Sequence, residues 1–188
     1  MKSVSISGSL RENVGKKDAK NQRKNGLVPC VLYGGDKQLP LLVEEKSFKD
    51  LIYTPEVRYV ELDLEGQNYK AIVQEAQFHP VTEKLLHVDF LEVIQGKPIT
   101  IDIPLHITGN SLGVMRGGKL SKRVRKLKVK GLLDDIPENI TVDISNLDIL
   151  DTVKIEDIQL KNISIIDIPS KVVVAILSSR NVEEAPKE

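Results

Sequence analysis

Apolar and polar residues alternate through much of this chain, and that period of two predicts strands. In "VELDLE", Val60, Leu62 and Leu64 alternate with Glu61, Asp63 and Glu65. "GQN" then reads as a turn, and "YKAIV" returns with Tyr69, Ala71 and Val73 on one face, which predicts a hairpin. The longest case is "PITIDIPLHIT": Ile99, Ile101, Ile103, Leu105 and Ile107 face one way, and Thr100, Asp102, Pro104, His106 and Thr108 the other. Proline donates no ladder hydrogen bond, so Pro104 predicts an edge strand or a bulge. "ITVDIS" and "KVVVAIL" read as further strands. The expected class is mainly β.

Helical spacing is scarce. "SFKDLIYTP" sets Phe48, Leu51 and Ile52 at i, i+3 and i+4, with Pro55 as the stop. "GKKDAKNQRKNG" is a weaker helix because asparagine is a poor helix former. If it winds, Lys16, Lys20 and Arg23 share a face with Lys24 at its margin, and Gly26 ends it. Before "EVIQGK" (residues 92–97) strands are interrupted by helical segments; after it the chain is strand and loop. That predicts a domain over residues 1–93, a second over 94–180 and a polar, flexible tail over 181–188.

Charge changes the picture by its distribution. Lys plus Arg and Asp plus Glu both number 27, so the formal net charge is zero. Yet residues 1–37 hold eight bases against three acids, and residues 116–130 hold eight against none. Residues 131–169 hold nine acids against Lys154 and Lys161. Such poles steer association with charged partners. Cys30 is the only cysteine, which excludes an intrachain disulfide and fits a small buried hydrophobe in a reducing compartment. There is no apolar run near the roughly 20 residues of a membrane span, and the start lacks a signal-peptide block. A cytoplasmic, membrane-free protein is expected.

Enzymatic readings find little footing. Gly113, Gly118 and Lys119 have the Gly-x-x-x-x-Gly-Lys spacing of a phosphate loop, but Leu120 stands where Ser or Thr would hold magnesium. The segment that follows alternates like a strand, whereas a phosphate loop opens a helix. A Gly-Gly turn leading into a strand with a solvated basic face is the competing reading. "HVDF" sets His87 and Asp89 on one side of a strand, a pairing open to a base with its orienting acid, to two metal ligands, or to a hydrogen-bonding pair for a ligand. It comes without a nucleophile or a matching Cys/His cluster. His79 and His106 are the remaining histidines; His106 reads as a surface residue. No cofactor is expected. The N-terminal basic cluster (Arg11, Lys16, Lys17, Lys20, Arg23, Lys24) is either a solvated helix face or a phosphate-binding surface. The chain has no tryptophan and few aromatics, which disfavours a base-stacking platform and leaves recognition of a folded or double-stranded RNA shape.

The segments "GLVPCVLYGG", "QFHPVTEKLLHVDFLEV", "GVMRGGKL" and "IPENITVDISNLDILDTV", in that order and spacing, resemble the bacterial large-subunit ribosomal protein that binds 5S ribosomal RNA, in its two-domain form, the general stress protein CTC family. The resemblance runs from about Leu10 to Leu177. It implies a small N-terminal β-barrel with short helices, a mostly antiparallel C-terminal β domain, and no catalysis. It also implies that the N-terminal domain grips 5S ribosomal RNA through its minor groove within the large ribosomal subunit, beside neighbouring ribosomal proteins, and that the chain is a monomer when free. Matched residue by residue, the RNA-binding set is Arg11, Lys16, Lys20, Arg23, Lys24, Tyr33, Gln77, His87 and Asp89. Lys20 stands near where the family usually has Arg, and Leu150 where it commonly has Gly. Two other readings are retained: a phosphate-ester hydrolase using the Gly113–Lys119 loop or the His87/Asp89 pair, and a protein-interaction module of the stress response.

Overall fold

The computed structural model describes residues 1–35, 37–54, 56–160 and 162–178; the expected helix stop at Pro55 and the tail 181–188 lie outside them. The chain divides into two compact units, Met1–Ile99 with Leu132–Asp134, and Thr100–Gly131 with the residues from Asp135 onward. Both are built mainly from strands.

In the first unit, β1 (Lys2–Leu10), β2 (Leu27–Tyr33), β3 (Leu39–Glu44), β4 (Arg58–Leu64), β5 (Gln67–Phe78) and β6 (Leu85–Glu92) close a barrel in the order β1-β3-β2-β6-β5-β4. Two neighbouring pairs, β1–β4 and β2–β6, are parallel and the rest antiparallel. The inner face collects Ile6, Val28, Cys30, Leu32, Leu41, Val43, Val60, Leu62, Val88 and Phe90, so alternation in sequence becomes inside and outside in the ring. A 3-10 turn (Glu45–Phe48) leading into α2 (Lys49–Ile52) brings Phe48 and Leu51 to this core, where Phe48 stacks on Phe90 at 6.2 Å between centroids. Cys30 is buried, and burial pushes its thiol far up from its ordinary value; it packs as a small hydrophobe.

The β4–β5 hairpin forms as the alternation predicts, but its turn is Glu65–Gly66, and Gln67 and Asn68 already belong to β5. Glu65 and Gly66 both have positive φ, 54° and 85°. That is the two-residue turn whose twist suits a hairpin, and it displaces the expected "GQN" turn by one residue.

The second unit holds a four-stranded sheet in the order β10-β7-β9-β12 and a three-stranded sheet in the order β11-β13-β8. Their strands are β7 (Ile99–Thr108), β8 (Lys119–Lys122), β9 (Lys126–Gly131), β10 (Ile140–Asp143), β11 (Thr152–Lys154), β12 (Ser164–Ile165) and β13 (Val172–Leu177). Pro104 does not mark an edge: β7 has a neighbour on each side. The Leu105 amide donates to Arg125 O in one direction, and pairing with β10 begins only at Leu105 opposite Ile140. Pro104 therefore falls one residue before the ladder that would have needed its missing donor.

Candidate nucleic-acid interface

The N-terminal helix does wind. α1 (Lys16–Lys24) lies against β2. Arg11, at the end of β1, fixes its first turn: Nε donates to Asp18 Oδ2 at 2.9 Å and a terminal nitrogen to Gly15 O at 3.2 Å. Gln22 Nε2 donates to the other oxygen of Asp18 at 3.2 Å. The Asp18 carboxylate also complements the positive end of the helix dipole. At the other end, Gly26 takes φ 78° and its amide donates to Arg23 O at 3.3 Å, closing the helix as the glycine predicted. Lys16, Lys17, Lys20 and Lys24 are exposed. Arg23 shares the face of Lys16 and Lys20 by helical spacing, but unlike them it is half-buried, and its Nε donates to Leu86 O of β6 at 2.9 Å. Arg11 is also turned inward, with its side chain 10% exposed.

The remaining sequence-derived residues stand on the outside of three adjacent strands, β2, β6 and β5. Asp89 pairs across β6 with Val31 of β2 and with Glu75 of β5, and His87 pairs with Gln77. Tyr33 follows two residues beyond Val31 and pairs with Leu91. A bulge between Val73 and Glu75 makes this possible. Strict alternation from Ala71 and Val73 would point Glu75 and Gln77 into the barrel. The extra residue, Gln74, reverses the parity, so Ala76 packs against the core while Glu75 and Gln77 are exposed. Glu75 is the group the sequence reading missed, and the slip of the apolar positions from Val73 to Ala76 is the signal that could have found it.

Within this face, His87 Nδ1 lies 2.6 Å from Asp89 Oδ1. A ring donating from Nδ1 keeps Nε2 as the nitrogen available to a partner. Gln77 Nε2 donates to Glu75 Oε1 at 3.4 Å. The Tyr33 phenol is raised above its ordinary value by partial burial, and further by the Asp89 and Glu75 carboxylates. Asp89 and Glu75 are register partners on β6 and β5, and Tyr33 stands on the adjoining strand β2. His79 has a local role: Nδ1 accepts from the amides of Val81 and Thr82 at 3.3 and 3.2 Å, fixing the loop between β5 and β6. His106 is exposed, as expected.

The face can donate and accept hydrogen bonds and lies beside a cationic helix. Among the described residues no group of three or more His, Cys, Asp or Glu is placed to hold a metal. A cleft of ≈ 590 Å³ in the second unit, lined by residues such as Thr141, Val153 and Gln159, includes none of the candidate residues.

The glycine-rich loop has a structural explanation. Ser111 caps α3 (Leu112–Met115): its hydroxyl accepts from the Val114 amide at 3.3 Å and donates to Leu147 O at 2.7 Å. The loop leaves a one-turn helix and enters β8, the reverse of a phosphate loop's strand-to-helix order. A Cβ on Gly113 would lie 2.6 Å from the backbone of Asp148 and Ile149, and one on Gly118 would lie 2.7 Å from Gly113 O. Both glycines serve close backbone packing. Arg116 is bonded to Asp148.

Comparison with known proteins gives the family. The pattern of the ribosomal L25p family matches residues 6–90, and that of the C-terminal domain of ribosomal protein TL5 matches residues 98–180. A protein of Porphyromonas gingivalis is 41% identical over 182 residues, covering 96% of this chain and 95% of its own. Others, from Cytophaga hutchinsonii and Christiangramia forsetii, are each 44% identical, covering 98% of this chain and 96% and 84% of their own. All three are named large ribosomal subunit protein bL25. The chain belongs to the ribosomal L25p family, a family of ribosomal proteins and not of enzymes, and the hydrolase reading falls.

Proposed function

We propose that this chain is a structural component of the large ribosomal subunit and binds 5S ribosomal RNA through the outer face of β2, β6 and β5 together with α1. The observation that carries the reading is the convergence of Tyr33, Gln77, His87 and Asp89 on one outer face, with Arg23 anchored at Leu86 of the same strand that bears the His87–Asp89 pair. Lys16, Lys20 and Lys24 supply phosphate contacts, which fix position and make affinity salt-dependent. Tyr33, Gln77, His87 Nε2 and Asp89 suit the sugar hydroxyls and base edges of a wide, shallow A-form minor groove. Asp89 orients His87 and can accept from a 2′-hydroxyl or an exocyclic amine. Arg23, held through Nε, has its terminal nitrogens left for RNA; Arg11 acts first by fixing the start of α1.

Domains over 1–93 and 94–180 belong to the same proposal, supported by the compact unit ending near Ile99 and by family patterns that stop at residue 90 and resume at 98. The setting is then the cytoplasmic ribosome, with neighbouring ribosomal proteins as further partners. No helix among the described residues is long and apolar enough to cross a membrane. Gel-shift titration of the full chain against 5S ribosomal RNA and against transfer RNA tests the reading. Tighter binding to 5S ribosomal RNA, weakening as salt rises, is expected; a folded chain that does not distinguish the two at moderate salt overturns it.

A further inference from the structure

We infer that the outer face of β9 in the second unit is a separate RNA-backbone contact, built from Lys126, Lys128 and Lys130. These side chains alternate with Leu127 and Val129, both 0% exposed, so all three ammonium groups leave the same side of the sheet. Residues two apart on a strand are roughly 6.6–6.8 Å apart along it. Three like charges at that spacing repel, and lysine is depleted in strands.

Lysines on strands commonly blunt an open sheet edge, but β9 is an interior strand, flanked by β7 and β12. Nor are the charges neutralised locally. Among the described residues none of the three is in an ion pair, and the carboxylates of Asp167 and Asp143 have other bonds. Asp167 accepts from the Lys128 amide and lies 3.7 Å from Lys171, and Asp143 accepts from Ser145. Asp102, on the neighbouring β7, is an exposed acid, as are Asp134 and Asp135 just beyond β9. Ser164 of β12, opposite Lys130, donates its hydroxyl to Lys130 O at 3.2 Å.

The row itself is lysine alone, preceded by the exposed Arg123 and Arg125 and with no aromatic among its residues; it is unlike the centre of a protein interface, where Tyr and Trp are enriched and Lys depleted. It fits a polyanion read by charge alone: the phosphate strand of a helical RNA, contacted without base recognition. This inference rests on the second unit only and stands whether or not the first unit binds 5S ribosomal RNA.

The test uses the full chain and a fluorescent 20-base-pair RNA duplex of arbitrary sequence. The combined change Lys126→Gln, Lys128→Gln and Lys130→Gln is compared with the unaltered chain, in the native background and with Lys16, Lys20 and Lys24 also changed to Gln. Loss on the order of tenfold in Kd at low salt, and a slope of log K against log salt shallower by roughly 2 to 3, are expected. Arginine at the three positions should restore both. An unchanged Kd and slope overturns the inference, as does a loss confined to binding of poly-glutamate, which would assign the row to an acidic protein. Should the glutamine variant fail to fold, acetylation of the unaltered chain decides: duplex RNA protects all three lysines, or the inference fails.

Discussion

Two outer sheet faces of this molecule carry their polar groups in opposite ways. On β2, β6 and β5 the groups are mixed and pinned: Asp89 holds His87, Glu75 meets Gln77, and Leu86 O holds Arg23. On β9 they are uniform and unpinned, three exposed lysines whose ammonium groups are in no ion pair among the described residues. Pinned groups arrive at a ligand already oriented, with less rotamer freedom to lose, and so can discriminate shape. Unpinned lysines add affinity that salt removes and that no sequence alters. Under the proposed function and the inference for β9, specificity resides in the first unit and general adhesion to RNA in the second.

The first unit's scaffold is where a single change costs most. Phe90 backs the strand that presents His87 and Asp89 and stacks on Phe48. Phe90→Ala is expected to cost about 3–5 kcal/mol of stability in denaturant unfolding, the scale of a large buried aromatic lost from a core. The corresponding change in the second unit is Gly113→Ala. The added Cβ meets backbone that cannot rotate away, so about 1–3 kcal/mol is expected, with 5S ribosomal RNA binding by the folded fraction unchanged. Arg23→Ala sharpens the distinction, since it should weaken binding of 5S ribosomal RNA by about 1–2 kcal/mol in titrations, the scale of one charge-assisted contact. Its effect on an arbitrary duplex should be smaller.

The smallest effect is a titration. Partial burial, Asp89 and Glu75 raise the Tyr33 phenol in the folded state. The folded state then keeps that proton longer than the unfolded chain. Tyr33's contribution to stability is intact below the unfolded value of about 10, and is lost as pH rises through the higher folded value. Ultraviolet titration of the four tyrosines, with Tyr33→Phe as the difference, should show this late transition. Asp89→Asn should move it part of the way back. A Tyr33 transition indifferent to Asp89 would separate two groups that the face places together.

Much of the fold was legible because most strands are buried on one side only. Val60, Leu62 and Leu64, and likewise Ile103 and Leu105, announce their buried side by parity. Closure into a barrel was not legible from alternation, because the neighbours of β1 and β2 are set by long-range and partly parallel pairing; it entered with the family resemblance. Local exceptions hid from the pattern for specific reasons. Gln74 shifts the parity of β5, Pro104 falls just outside a ladder, and Arg23 turns to a carbonyl 63 residues away in sequence. The phosphate-loop spacing misled in the other direction, since Gly113 and Gly118 answer to close backbone contact.

The central claim is that one side of the barrel meets 5S ribosomal RNA. Hydroxyl-radical footprinting of the full chain, read by mass spectrometry with and without that RNA, tests it most directly. Protection should concentrate on α1, Tyr33, Gln77 and His87, while Ser3, Ser5, Glu61 and Asp63 on β1 and β4, the far side of the ring, stay as reactive as in the free protein. Protection of β1 and β4 with His87 and Tyr33 left open would contradict the account.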